Sequence, residues 1–80
     1  MSKTDISRKV TEMLFDRVGR QVHETEQIKD LDMNSVDFVE FIMDIESTYD
    51  IEFPYEMLSP EDLDTVANVI KIIEDLSNAF

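Results

Sequence analysis

Between Ser35 and Tyr49 the apolar side chains recur at helical spacing, and that recurrence limits the chain to one kind of architecture. At about 100° per residue, Phe38, Phe41, Ile42, Ile45 and Tyr49 gather within roughly one third of a helix circumference. A helix with such a face must bury it against other elements. No strand-like alternation of useful length occurs anywhere in the chain, so the partners are expected to be helices as well. An 80-residue chain buries only about 60–65% of its unfolded surface, which leaves room for one core and hardly for an enclosed active site.

The remaining segments supply the partner helices. The spacing predicts a first helix from about Thr4 to Val18, capped by Thr4 or Asp5 and stopped at Gly19, the chain's only glycine. Ile6, Val10, Met13 and Leu14 share its inner face, and Arg17 can lay its stem alongside. Residues 19–34 form a long connection with Val22, Ile28 and Leu31 as anchors. The second helix spans Ser35 to Tyr49, capped by Asn34 or Ser35, with Asp37 in the first turn where the helix dipole favours an acid. Asp50 to Pro54 is extended, because the residue before a proline is pushed out of helix space. Ser59-Pro60-Glu61-Asp62 is a short helix of about one turn, with a cap and a proline at its first position. The last helix runs from about Val66 to Ser77, capped by Asp64 or Thr65, with Val66, Val69, Ile70, Ile73 and Leu76 in one stripe. The expected fold is all-α, a small four-helix bundle with a short third helix, in a single domain over residues 1–80.

The second helix carries a second apolar stripe. Val36, Val39 and Met43 fall well away from the core face. Glu40, Glu46, Ser47 and Asp50 flank them, and Asp37 and Asp44 lie beyond Glu40. One small bundle does not easily bury both faces of a helix. A short apolar stripe rimmed by carboxylates is suited to docking, and the flexible thioether of Met43 adapts to varied partners. Val36, Asp37, Val39, Glu40, Met43 and Asp44 are therefore the candidate docking residues.

Charge narrows the partners. The formal net charge is −12, and it is uneven. Residues 1–20 hold five basic and three acidic side chains, whereas residues 21–80 hold two basic and sixteen acidic. Nucleic acid needs clustered Lys and Arg and is a poor partner. Basic protein surfaces are good ones, because the field steers them in. No apolar run approaches the length of a membrane span, no signal peptide is visible at the polar N-terminus, and the lack of cysteine excludes disulfides and thiolate zinc sites. These features fit a cytoplasmic monomer.

Ser35 stands where an acidic loop turns into the second helix. The chain has one histidine, His23, on a polar loop, and no cysteine. Ser35 thus lacks a base to activate it, and an enzyme is the least favoured class. The residue is either a helix cap or a point where another enzyme attaches a group. Asp30, Asp32 and Asn34 mimic positions 1, 3 and 5 of a calcium loop, but Ser35 stands where glycine is needed and Phe41 where glutamate is needed. No specific metal site is expected.

The run Asp30-Leu31-Asp32-Met33-Asn34-Ser35-Val36-Asp37-Phe38-Val39-Glu40 resembles the acyl carrier protein family, whose hallmark is Asp-Ser-Leu at the start of the second helix after Asp-Leu-Gly. The similarity continues through Phe41-Ile42-Met43-Asp44-Ile45-Glu46 and Tyr49-Asp50-Ile51-Glu52-Phe53-Pro54 to Leu63-Asp64-Thr65-Val66. Three positions depart from it: Asn34 replaces aspartate, Val36 replaces leucine and Asp32 replaces glycine. The resemblance implies that Ser35 carries 4′-phosphopantetheine, added from coenzyme A by a phosphopantetheinyl transferase. It also implies that the arm's thiol holds an acyl or aminoacyl group as a thioester for loading and transferring enzymes of fatty-acid, polyketide or related biosynthesis. The bulk of Phe38 and Phe41 in the core favours a short cargo. An acidic helical interaction module without a prosthetic group is the alternative that the residues alone leave open.

Overall fold

The computed structural model describes residues 2–77. The order is α1 (Lys3–Val18), α2 (Ser35–Tyr49), α3 (Pro60–Leu63) and α4 (Val66–Ser77), with short 3₁₀ turns at Ile28–Asp30 and Tyr55–Met57. Among the described residues there is no strand, only an isolated antiparallel bridge between Gln27 and Thr65. The all-α expectation holds, including a third helix of a single turn.

Local chemistry sets the helix ends. α1 begins one residue earlier than the spacing predicts, because Ser2 and not Thr4 or Asp5 is the cap: the Asp5 N–H donates to Ser2 Oγ. Gly19 ends it at φ 79°, a left-handed conformation that costs glycine nothing. α2 ends on Asp50, also left-handed at φ 54°, whose N–H donates to the Glu46 carbonyl. Aspartate visits this region more readily than most residues. Ser59 caps α3, and Pro60 fills its first position. For α4, Thr65 Oγ1 accepts from the Asn68 N–H. Two further helix donors are satisfied from a distance: Val66 N–H donates to the Glu26 carbonyl and Ala67 N–H to the Glu24 carbonyl, each at 2.9 Å.

α1 packs on α2 and α4, and α3 closes one end of the bundle against α4 and both 3₁₀ turns. Ile6, Val10, Leu14, Phe41, Ile45, Val66, Val69, Ile70 and Ile73 are fully buried, in line with the predicted faces. Val22, Ile28 and Leu31 anchor the long connection as expected. Ile51, Phe53 and Leu63 join the same core from segments that have no helical repeat to announce them. No charged or polar residue is buried among the described residues.

Candidate functional site

Asn34, and not Ser35, caps α2. Asn34 takes an extended conformation, and its Oδ1 accepts the Asp37 N–H at 2.8 Å. It is therefore the cap of α2, and Ser35 is the first helical residue. The Ser35 side chain is exposed, and its hydroxyl makes no hydrogen bond among the described residues. A primary hydroxyl is thus presented to solvent on a fixed backbone, beside main-chain N–H groups and the positive end of a helix dipole. That surrounding suits a phosphate ester. Asp32, standing where the family prefers glycine, causes no backbone strain. Positive φ occurs among the described residues only at Gly19, Asp50 and Asp64.

The face of α2 below Ser35 opens into an apolar cleft of about 180 Å³, lined by Phe38, Val39, Ile42, Met43, Glu46 and Leu58. Phe38, Val39 and Ile42 follow Ser35 at three, four and seven positions, so they lie on the Ser35 side of the helix. Leu58 closes the far wall from the segment before α3. The second apolar stripe is exposed as its spacing predicts: Val36, Val39 and Met43 keep 66%, 53% and 59% of their surface open. Glu46 does more than flank this stripe. Its Oε2 accepts the Phe53 N–H at 2.9 Å, which pins the chain as it leaves α2.

The acids on the opposite flank have a partner inside the chain. Arg17, in the last turn of α1, donates from Nη2 to Asp44 Oδ2 at 2.8 Å and from Nη1 to Glu40 Oε1 at 3.1 Å. Asp37 Oδ1 lies 3.8 Å from Nη1. The hydrogen bond to Asp44 is the chief cause holding the Arg17 guanidinium above its ordinary value, followed on the raising side by that to Glu40. The sequence places Arg17 on α1 but gives no sign of this pairing, which spans 20 to 27 residues. Among the described residues, no cluster of His, Cys, Asp and Glu is arranged to hold a metal ion.

The family profile described as "Phosphopantetheine attachment site" matches residues 8–73. The chain is 39% identical to an acyl carrier protein of Helicobacter acinonychis over 71 residues, covering 89% of this chain and 88% of the relative. It is 36% identical to an acyl carrier protein of Akkermansia muciniphila over 78 residues, covering 92% and 95%. It is also 30% identical to one of Lactobacillus johnsonii over 82 residues, covering 98% and 100%. The chain belongs to the acyl carrier protein family. It is accordingly a carrier with a 4′-phosphopantetheine prosthetic group and not an enzyme. Its partners include a phosphopantetheinyl transferase and acyl-handling enzymes. No helix among the described residues is long and apolar enough to cross a membrane.

Proposed function

We propose that Ser35 is the residue that carries the 4′-phosphopantetheine arm, and that the chain acts as one monomeric carrier domain for a short acyl or aminoacyl group. The observation that carries this reading is the division of labour at the start of α2. Asn34 caps the helix, so the Ser35 hydroxyl is left free and exposed. The first-turn N–H groups favour the phosphate, and the rigid helix fixes where the arm starts. The arm, once attached, supplies the thiol on which cargo rides as a thioester. A free thiol persists in a reducing compartment, which fits the cytoplasm.

A short cargo is supported by the size of the cleft. At about 180 Å³ it is close to an engineered cavity of about 150 Å³ that holds benzene. Phe38 and Phe41 occupy the space that a deeper pocket would need; Phe41 is completely buried. Fatty-acid, polyketide and related biosynthesis all use such a carrier. The exposed stripe of Val36, Val39 and Met43 gives partner enzymes an apolar foothold, and the acid-rich surface around it attracts those with basic faces.

Intact-mass analysis tests the assignment. With coenzyme A, magnesium and a broad-specificity phosphopantetheinyl transferase, the parent gains one phosphopantetheine. Ser35→Ala gains none and keeps its helical circular dichroism. Modification of the alanine variant, or none of the parent with several transferases, overturns the assignment; the second result favours the interaction module without a prosthetic group.

A further inference from the structure

The Arg17 side chain is 20% exposed, and its guanidinium lies against the acidic ridge of α2. Asp37, Glu40 and Asp44 stand at i, i+3 and i+7, so they form one ridge beside Val36 and Met43. Arg17 spreads across it, with one terminal nitrogen on Glu40 and the other on Asp44. The carboxylates best placed to greet a cationic partner are therefore engaged from within the chain. A planar fork that reaches two acids at once is harder to displace than a lysine with one point of contact.

We infer that Arg17 is a specificity-determining residue of the docking face: it competes with a partner's lysine or arginine for Glu40 and Asp44, one oxygen of each being already engaged. The partner this favours has an apolar socket for Val39 and Met43, bordered by only a few cations. A partner that grips chiefly through ion pairs to α2 is disfavoured, because Arg17 already neutralises part of the charge it would meet and its own cations would be set beside a cation. Arg17 also reduces the negative field of the ridge and so slows the encounter of any basic protein. The inference rests on the carrier reading, since it takes α2 as the face that partner enzymes meet.

The test measures kcat/KM for phosphopantetheine transfer by a basic-surfaced, broad-specificity transferase, with the full chain as substrate, at low and at near-physiological ionic strength. Arg17→Gln is expected to raise kcat/KM by about three- to tenfold at low ionic strength, with the gain shrinking as salt is added. Arg8→Gln removes the same charge from α1, but among the described residues Arg8 pairs only with Asp5 on its own helix. Its gain should stay below about twofold if position matters more than net charge. Glu40→Gln and Asp44→Asn should slow transfer more in the Arg17→Gln background than in the parent, which is a non-additive cycle. Arg17→Lys should fall between the parent and Arg17→Gln, and it replaces Arg17→Gln as the test if the latter is unfolded by circular dichroism at the assay temperature. Equal gains from Arg17→Gln and Arg8→Gln, an additive cycle, or slower transfer by the Arg17 variants overturns the inference. Transfer to the parent with any of these results defeats only the role of Arg17, whereas no transfer to the parent defeats the carrier reading itself.

Discussion

α2 and α4 are both rich in apolar residues, but they use them differently. In α4 the large apolar side chains crowd one side: Val66, Val69, Ile70 and Ile73 are buried, and Ile72 and Leu76 pack partly against the same core. In α2, Phe38, Phe41, Ile42 and Ile45 are buried, while Val36, Val39 and Met43 face water. Packing explains all of the apolar content of α4 and only part of that of α2. An apolar residue that a fold leaves in water gains nothing from burial. The surplus on α2 lies beside the exposed serine and supports the proposed docking surface.

The comparison breaks first on core deletions. Phe41→Ala and Ile73→Ala should each destabilise by about 3–5 and 2–5 kcal/mol respectively, since both remove fully buried side chains. Val39→Ala and Met43→Ala should stay within about 0.5 kcal/mol of the parent. Denaturant unfolding of the four variants decides the matter. A Met43→Ala loss as large as that of Phe41→Ala would show that α2, like α4, buries all its apolar surface.

A smaller effect separates Asn34 from Ser35. Asn34→Ala removes the side chain that holds the Asp37 N–H and should cost about 1 kcal/mol. Ser35→Ala removes no hydrogen bond among the described residues and should leave the midpoint nearly unchanged. Equal losses from the two would return Ser35 to a capping role and weaken its assignment as the attachment point.

Much of this was legible in the sequence, because the informative residues act locally. Gly19, Pro54 and the Ser59-Pro60 pair mark ends whatever surrounds them, and the 3.6-residue repeat shows which faces of α1, α2 and α4 turn inward. Ser35 was legible as a position, through the acidic loop before it and the patterned helix after it. Whether Asn34 or Ser35 caps α2 was not, since both residue types cap helices and only the backbone angles decide. Ser2 was missed because Thr4 and Asp5 are equally good caps by type. Phe53, Ile51 and Leu63 reach the core from segments without periodicity, so no repeat identifies them. The Arg17 ridge was invisible for a different reason: it depends on the distance between two helices, which no local pattern encodes.

The smallest expected effect concerns how the two helices begin. α2 is started by its own neighbour, Asn34. α4 has its own neighbour in Thr65 but leans as well on a distant loop, through the carbonyls of Glu24 and Glu26. Glu26 organises that loop: its carboxylate takes Arg20 Nη2 at 2.7 Å and the His23 N–H at 2.8 Å. The Arg20 hydrogen bond first, and the His23 backbone bond second, lower the Glu26 carboxyl from 4.5 to about 2. A carboxyl whose folded value is depressed adds stability that is fully present above its unfolded value and is lost as pH falls through the folded one. The contribution of Glu26 is thus complete above about pH 4.5 and fades between there and about pH 2. Glu26→Gln lacks the charge at every pH. Its melting temperature should lie slightly below the parent's at neutral pH, and the gap should close across that acid window. High salt should narrow the gap at neutral pH too, because the pair sits near the surface. A gap that stays constant into strong acid would mean that Glu26 acts by shape and not by charge, and that the start of α4 does not depend on this ion pair.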